Sequence, residues 1–154
     1  MRVAVLSFLF FACVSFSMAQ NKAYTFEQAE KKGLTVSFLD KKYANALDSD
    51  STKAVFSKNS EEFIEAYKLL LGDLGRFLRK QKFILEKPTR VIHRIYFKNS
   101  GEIDYYLINL KPSGFTTKQQ QQFLQILNKF SKNHKISITA DKNFAQCGPA
   151  VYQN

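Results

Sequence analysis

Residues 60–82 constrain this chain more than any other stretch. Phe63, Tyr67, Leu70, Leu71, Leu74, Phe77 and Leu78 recur at three- and four-residue spacing, which places them on one face of a helix and demands an apolar layer to cover it. Asn59 and Ser60 supply a cap, Glu61 and Glu62 sit in the first turn where the helix dipole favours anions, and Arg79, Lys80 and Lys82 gather at the end. Gly72 and Gly75 lie three apart inside it, each costing about 1 kcal/mol relative to Ala. Their presence predicts another backbone packed closely there. A chain of 154 residues, 45% hydrophobic and with only 6 Gly and 3 Pro, forms one ordinary domain around such a helix and is neither disordered nor collagen-like.

The remaining pattern predicts the layer. Thr25-Phe26-Glu27-Gln28 is a capping-box sequence for a first helix ending at Gly33. Leu34, Val36 and Phe38 alternate with Thr35 and Ser37 as in a short strand, and residues 40–59 read as a helical turn from Tyr43 to Leu47 followed by a loop. After Pro88, Val91, His93, Ile95 and Phe97 alternate with Ile92, Arg94 and Tyr96. Lys98-Asn99-Ser100-Gly101-Glu102 makes a turn, and Ile103 to Leu110 returns as the second arm of an antiparallel hairpin. Thr116 and Thr117, followed three residues on by Gln119 and Gln120, cap a third helix with Phe123, Leu124, Leu127 and Phe130 as its buried stripe. Lys135 to Ala140 alternates again as a last strand, and Phe144 to Tyr152 packs back on the body. The expected class is α+β, a small antiparallel sheet with helices on one face.

The amino terminus predicts export. Arg2 precedes an apolar stretch from Val3 to Phe16 and a small-residue site at Ser17-Met18-Ala19, the order of a cleaved secretory signal of residues 1–19. The mature domain, 20–154, would lose one basic residue of 23, which lowers the net charge from +10 to +9 against 13 acidic residues. It would also lose Cys13, so Cys147 is left without an internal disulfide partner, and the domain either rests on its core alone or pairs through Cys147 with another chain.

The run from residue 60 to 152, with RVIHRIYFKNSGEIDYYLINL at its centre and the turn Asn99-Ser100-Gly101-Glu102-Ile103, resembles the carboxy-terminal domain of TonB-type proteins. The resemblance implies the order helix, strand, strand, helix, strand and a Gram-negative envelope setting.

Little in the sequence carries catalytic chemistry. Gln146-Cys147-Gly148-Pro149 has the first three residues of a Cys-Gly-Pro-Cys redox pair, with Ala150 in place of the second thiol. A Cys-dependent enzyme would need His93 or His134 as base; the plainer expectation for Cys147 is a buried apolar residue near the chain end. His93 has the parity of the apolar face, and His134 falls where it can bond the last carbonyls of the third helix. No cofactor motif or metal-ligand spacing is present.

Charge is the strongest remaining signal. Between Arg76 and Lys98 lie Arg76, Arg79, Lys80, Lys82, Lys87, Arg90, Arg94 and Lys98 against Glu86 alone. Interleaved Phe77, Phe83 and Tyr96, with Tyr106 by its exposed parity, would give this surface aromatic platforms. The expected function is a non-enzymatic binding domain that recognises an envelope protein or an anionic membrane surface, rather than nucleic acid, through its sheet edge and residues 76–98.

Overall fold

A computed structural model describes residues 22–153; the secretory signal expected over residues 1–19 lies outside them. The chain runs through β1 (Ala23–Thr25), α1 (Phe26–Lys31), α2 (Val36–Leu39), β2 (Ala44–Asn45), α3 (Ser60–Lys80), β3 (Thr89–Phe97), β4 (Ile103–Asn109), a 3-10 turn (Lys111–Ser113), α4 (Thr117–Asn133) and β5 (Phe144–Tyr152). The fold is α+β. Its five strands lie in the order β1-β4-β3-β5-β2. The sheet is mixed rather than antiparallel, because the antiparallel centre β4-β3-β5 gains a short parallel strand on each side, β1 on β4 and β2 on β5.

Local chemistry sets most helix limits. Thr25 and Gln28 form a reciprocal capping box at α1, and Thr116 does the same with Gln119 at α4. Asn59 precedes α3 but makes no side-chain cap. Phe63, Ala66, Leu70, Leu74 and Leu78 of α3 are buried against the inner face of the sheet, alongside Phe123, Ile126, Leu127 and Phe130 of α4. Each Leu or Phe buried there contributes about 1.5–3 kcal/mol.

Four expectations are corrected. The alternating segment at Leu34 is the short helix α2, because Thr35 accepts a hydrogen bond from Phe38 N and turns the chain. The turn expected at Tyr43 to Leu47 contains β2, held by Ala44 N and Ala46 N donating to the carbonyls of Asn143 and Ala145. Residues 135–140 do alternate in burial, with Ile136 and Ile138 inside. They form no ladder, however, and strap the β3-β4 turn through Ile136 N to Gly101 O (3.0 Å), Ala140 N to Asn99 O (2.9 Å) and a single bridge between Glu102 and Lys135. The closing strand is β5, nine residues paired along all of β3.

Helices also cover both faces. Leu39 and Tyr43, with Phe26, Leu34 and Val36 beside them, pack on Tyr96, Leu107 and Ala145 of the outer face, forming a second small core. An irregularity in β4 makes this arrangement possible. Tyr96 opposes Tyr105 while Phe97 opposes Ile103, so Asp104 is the extra residue of a bulge. Beyond it the parity of β4 inverts. Tyr106 therefore faces the inner core, fully buried, instead of solvent.

Candidate functional site

Three of the eight basic residues between Arg76 and Lys98 are engaged by carboxylates. Arg94 Nη2 donates to both oxygens of Asp40 (2.5 and 2.6 Å) and its Nε to the Tyr96 hydroxyl (2.8 Å), which itself donates to Asp40 (3.1 Å). Burial opposes the charge of this guanidinium, but its bonds to Asp40 and Tyr96 outweigh that and hold its pKa above the ordinary value. Lys98 pairs with Glu102 at 3.0 Å, and Arg76 pairs with Asp73. Arg79, Lys80, Lys82, Lys87 and Arg90 are exposed and form no ion pair among the described residues. The free cations thus collect at the carboxy end of α3 and the start of β3. The aromatic platforms are withdrawn, since Phe83, Tyr96 and Tyr106 are buried and Phe77 packs on Phe130 and His134.

Cys147 is exposed, contrary to the expectation of a buried thiol. It opposes Arg94 on β3, whereas His93 opposes Gly148. Strand alternation therefore points the thiol to the outer face and the imidazole to the inner one. His134 is engaged at the end of α4, its Nδ1 3.0 Å from Phe130 O and its ring stacked on Phe130. Neither histidine is placed as a base for Cys147. We expect Cys147→Ser to change the unfolding free energy by less than about 0.5 kcal/mol, because no packing is lost at an exposed position; urea titration of the two proteins measures it, and a loss above about 1 kcal/mol would show a structural thiol.

His93 belongs to a buried polar cluster. Its Nδ1 lies 2.9 Å from the Tyr106 hydroxyl and its Nε2 3.1 Å from that of Tyr152. Burial lowers its pKa to about 3, so the ring is neutral and one nitrogen donates while the other accepts. The Tyr67 hydroxyl is buried nearby against Gly148 with no hydrogen-bond partner among the described residues. The ring is 0% exposed, which makes the cluster part of the core.

The two sheet edges differ. At β1, Asn128 Oδ1 accepts from the backbone N of Lys22 and Ala23 (2.9 Å each), its Nδ2 donates to Ala23 O (3.2 Å), and Gln28 Oε1 accepts from Thr25 N (3.1 Å). Side chains close that edge. At β5, β2 covers only Phe144 and Ala145. Asn143 and Ala145 present their carbonyls to β2, so by alternation Cys147, Pro149 and Val151 present their backbone groups to the same side, past the end of β2. The Cys147 carbonyl accepts from its neighbour's Gln146 Nε2 (2.8 Å), and Pro149 has no N–H. Among the described residues, that leaves Cys147 N–H, Pro149 C=O and both groups of Val151 without a partner; Val151 is 62% exposed.

No family model, curated protein or solved structure matches the chain. Among the described residues, no group of His, Cys, Asp and Glu could hold a metal ion, and no helix is long and apolar enough to cross a membrane.

A groove of about 320 Å³ runs beside this open edge, between Leu71, Gly72, Gly75, Arg76 and Arg79 of α3 and the end of β5 from Ala150 to Gln153. The glycines face it. A Cβ built on Gly72 would meet only Arg76 Nη1 at 3.6 Å, and one on Gly75 would meet the Tyr152 ring at 3.6 Å. Among the described residues no backbone packs on them, contrary to expectation.

Proposed function

We propose that this chain is a small exported, non-enzymatic binding domain that accepts an extended segment of an envelope partner along β5. The observation that carries the reading is the contrast between the edges: β1 is sealed by Asn128 and Gln28, while Cys147 to Val151 keep donors and acceptors unpaired among the described residues, beside a groove. Strand addition takes its affinity from main-chain hydrogen bonds and needs no catalytic residue. Export rests on the signal-like first 19 residues and the envelope setting on the resemblance to TonB-type domains, with which the helix-strand-strand-helix-strand order from α3 to β5 is in keeping.

Val151→Pro tests it. The Val151 N–H points away from β3, so its removal spares the ladder while deleting a donor that an added strand must use. With the unfolding midpoint of the variant as a control, the mature variant should fail to retain, from the protein's own envelope fraction, the partner that the wild type retains. Equal retention by the folded variant and the wild type would sink the edge reading.

A further inference from the structure

Resting on the edge-binding reading, we infer that the β5 edge selects acidic strand segments, with Asp or Glu at alternate positions facing the groove and received by Arg79 and Arg76. The geometry of sheet pairing leads there. Directly opposed residues of neighbouring strands share a face. Ala150 and Tyr152 have the parity of Val91 and Thr89, with which they pair, and so face α3. Residues of an added strand opposite Ala150 and Tyr152 would then project over Gly72 and Gly75.

Two guanidinium groups wait at those positions. Arg76 Nη1 lies 3.6 Å from the site of a Gly72 Cβ, and Arg79 Nη1 lies 3.9 Å from that of Gly75. Both arginines therefore lie beside the groove floor, which the missing side chains leave open. Arg79 has no carboxylate partner among the described residues, and Arg76 has only the exposed Asp73 one turn away. Lys80 and Lys82 are exposed at the same helix end. An Asp or Glu entering the groove would meet a planar donor fork suited to carboxylate, whereas a Lys or Arg would be repelled.

The same charges argue against a second copy of this chain as occupant. The groove-facing residues of β5 are Ala150 and Tyr152, so a paired β5 would bring no carboxylate to Arg79 and would oppose two arginine-lined surfaces within a chain of net charge +10. The partner is an acidic extended segment of another protein.

The test uses three capped synthetic peptides that differ only at two alternate central positions: Glu-Val-Glu, Gln-Val-Gln and Lys-Val-Lys within a Thr/Val-rich strand sequence. Binding to the mature protein, to Val151→Pro and to Arg76→Glu with Arg79→Glu is followed by fluorescence anisotropy. The wild type should prefer the Glu peptide over the Lys peptide by roughly tenfold, the gain of about two exposed ion pairs. The double Glu variant should reverse that order. An Arg76→Gln, Arg79→Gln protein, which places no new anion near the helix end, should bring the ratio near one. If the wild type binds all three peptides equally and Val151→Pro binds none, the edge reading stands and acidic selection is overturned. If Val151→Pro binds the Glu peptide as the wild type does, the edge reading falls with it. Capture of phosphatidylglycerol vesicles through the arginines, with no peptide bound, would overturn the inference in favour of a lipid surface.

Discussion

Gly101→Ala should unfold this protein or cost it at least about 3 kcal/mol. Gly101 closes the β3-β4 turn, where its N–H donates to Lys98 O at 2.9 Å, and its φ of +85° lies in the region that only glycine enters freely. A Cβ there would stand 2.6 Å from Ile136 O and 2.9 Å from Ile138 O. Both obstructing atoms are backbone, held by the strap of residues 135–140, so no rotamer change relieves the clash. Gly114 also has a positive φ, +69°, but its added Cβ would meet nothing within 4 Å. Gly114→Ala therefore bears the conformational cost alone, about 1 kcal/mol. Chemical denaturation of the two variants separates the effects: equal midpoints would show that contact with the strap contributes nothing.

Stability should fall as the solution is acidified below neutrality, and His93 should be responsible. The unfolded ring titrates near 6.5, whereas burial holds the folded ring at about 3. The folded state thus binds fewer protons than the unfolded state between those values. Stability contributed by the neutral ring is complete above about pH 6.5 and is lost as pH falls toward 3, at about 1.4 kcal/mol per pH unit. From pH 6.5 to 4.5 the wild type should lose about 2–3 kcal/mol that a His93→Gln protein retains. At pH 7.5 the order is opposite, since glutamine holds the hydroxyls of Tyr106 and Tyr152 less well than the imidazole and should cost about 1–2 kcal/mol. Urea unfolding at pH 7.5, 6.5, 5.5 and 4.5 supplies both curves. Parallel curves would mean that protons find His93 in the folded state.

The sequence was most legible where a signal needs only neighbours along the chain. The capping boxes at Thr25 and Thr116, the apolar stripe of α3 and the alternation of β3 are local, and each forms as the spacing predicts. The segment after Thr35 departs from the expected strand because a four-residue helix is too short for periodicity to distinguish from a strand, and its single capping bond decides the matter. Gly148 and Pro149 weaken the strand signal of β5, yet that strand pairs with all nine residues of β3. Tyr106 shows the other kind of failure. One bulged residue, Asp104, whose carboxylate accepts from Tyr43 at 2.5 Å, reverses the face of everything after it.

The candidate site was half legible. The sequence placed Arg76 and Arg79 in a basic stretch, but it could not separate them from Arg94 and Lys98, which Asp40 and Glu102 occupy. Asp40 lies 54 residues from Arg94, and no local pattern announces such a pairing. The open edge was also hidden, because it depends on where β2 stops.

By itself, then, the sequence determined an α+β domain with two amphipathic helices, a hairpin and an excess of positive charge, since helix stripes, caps and alternation follow from residue spacing. Only the tertiary structure decided which charges stay free, which face Tyr106 takes and which edge remains open. Those outcomes depend on groups distant in sequence meeting in space, where Asp40 neutralises one arginine, Asn128 seals one strand and the end of β2 leaves another exposed.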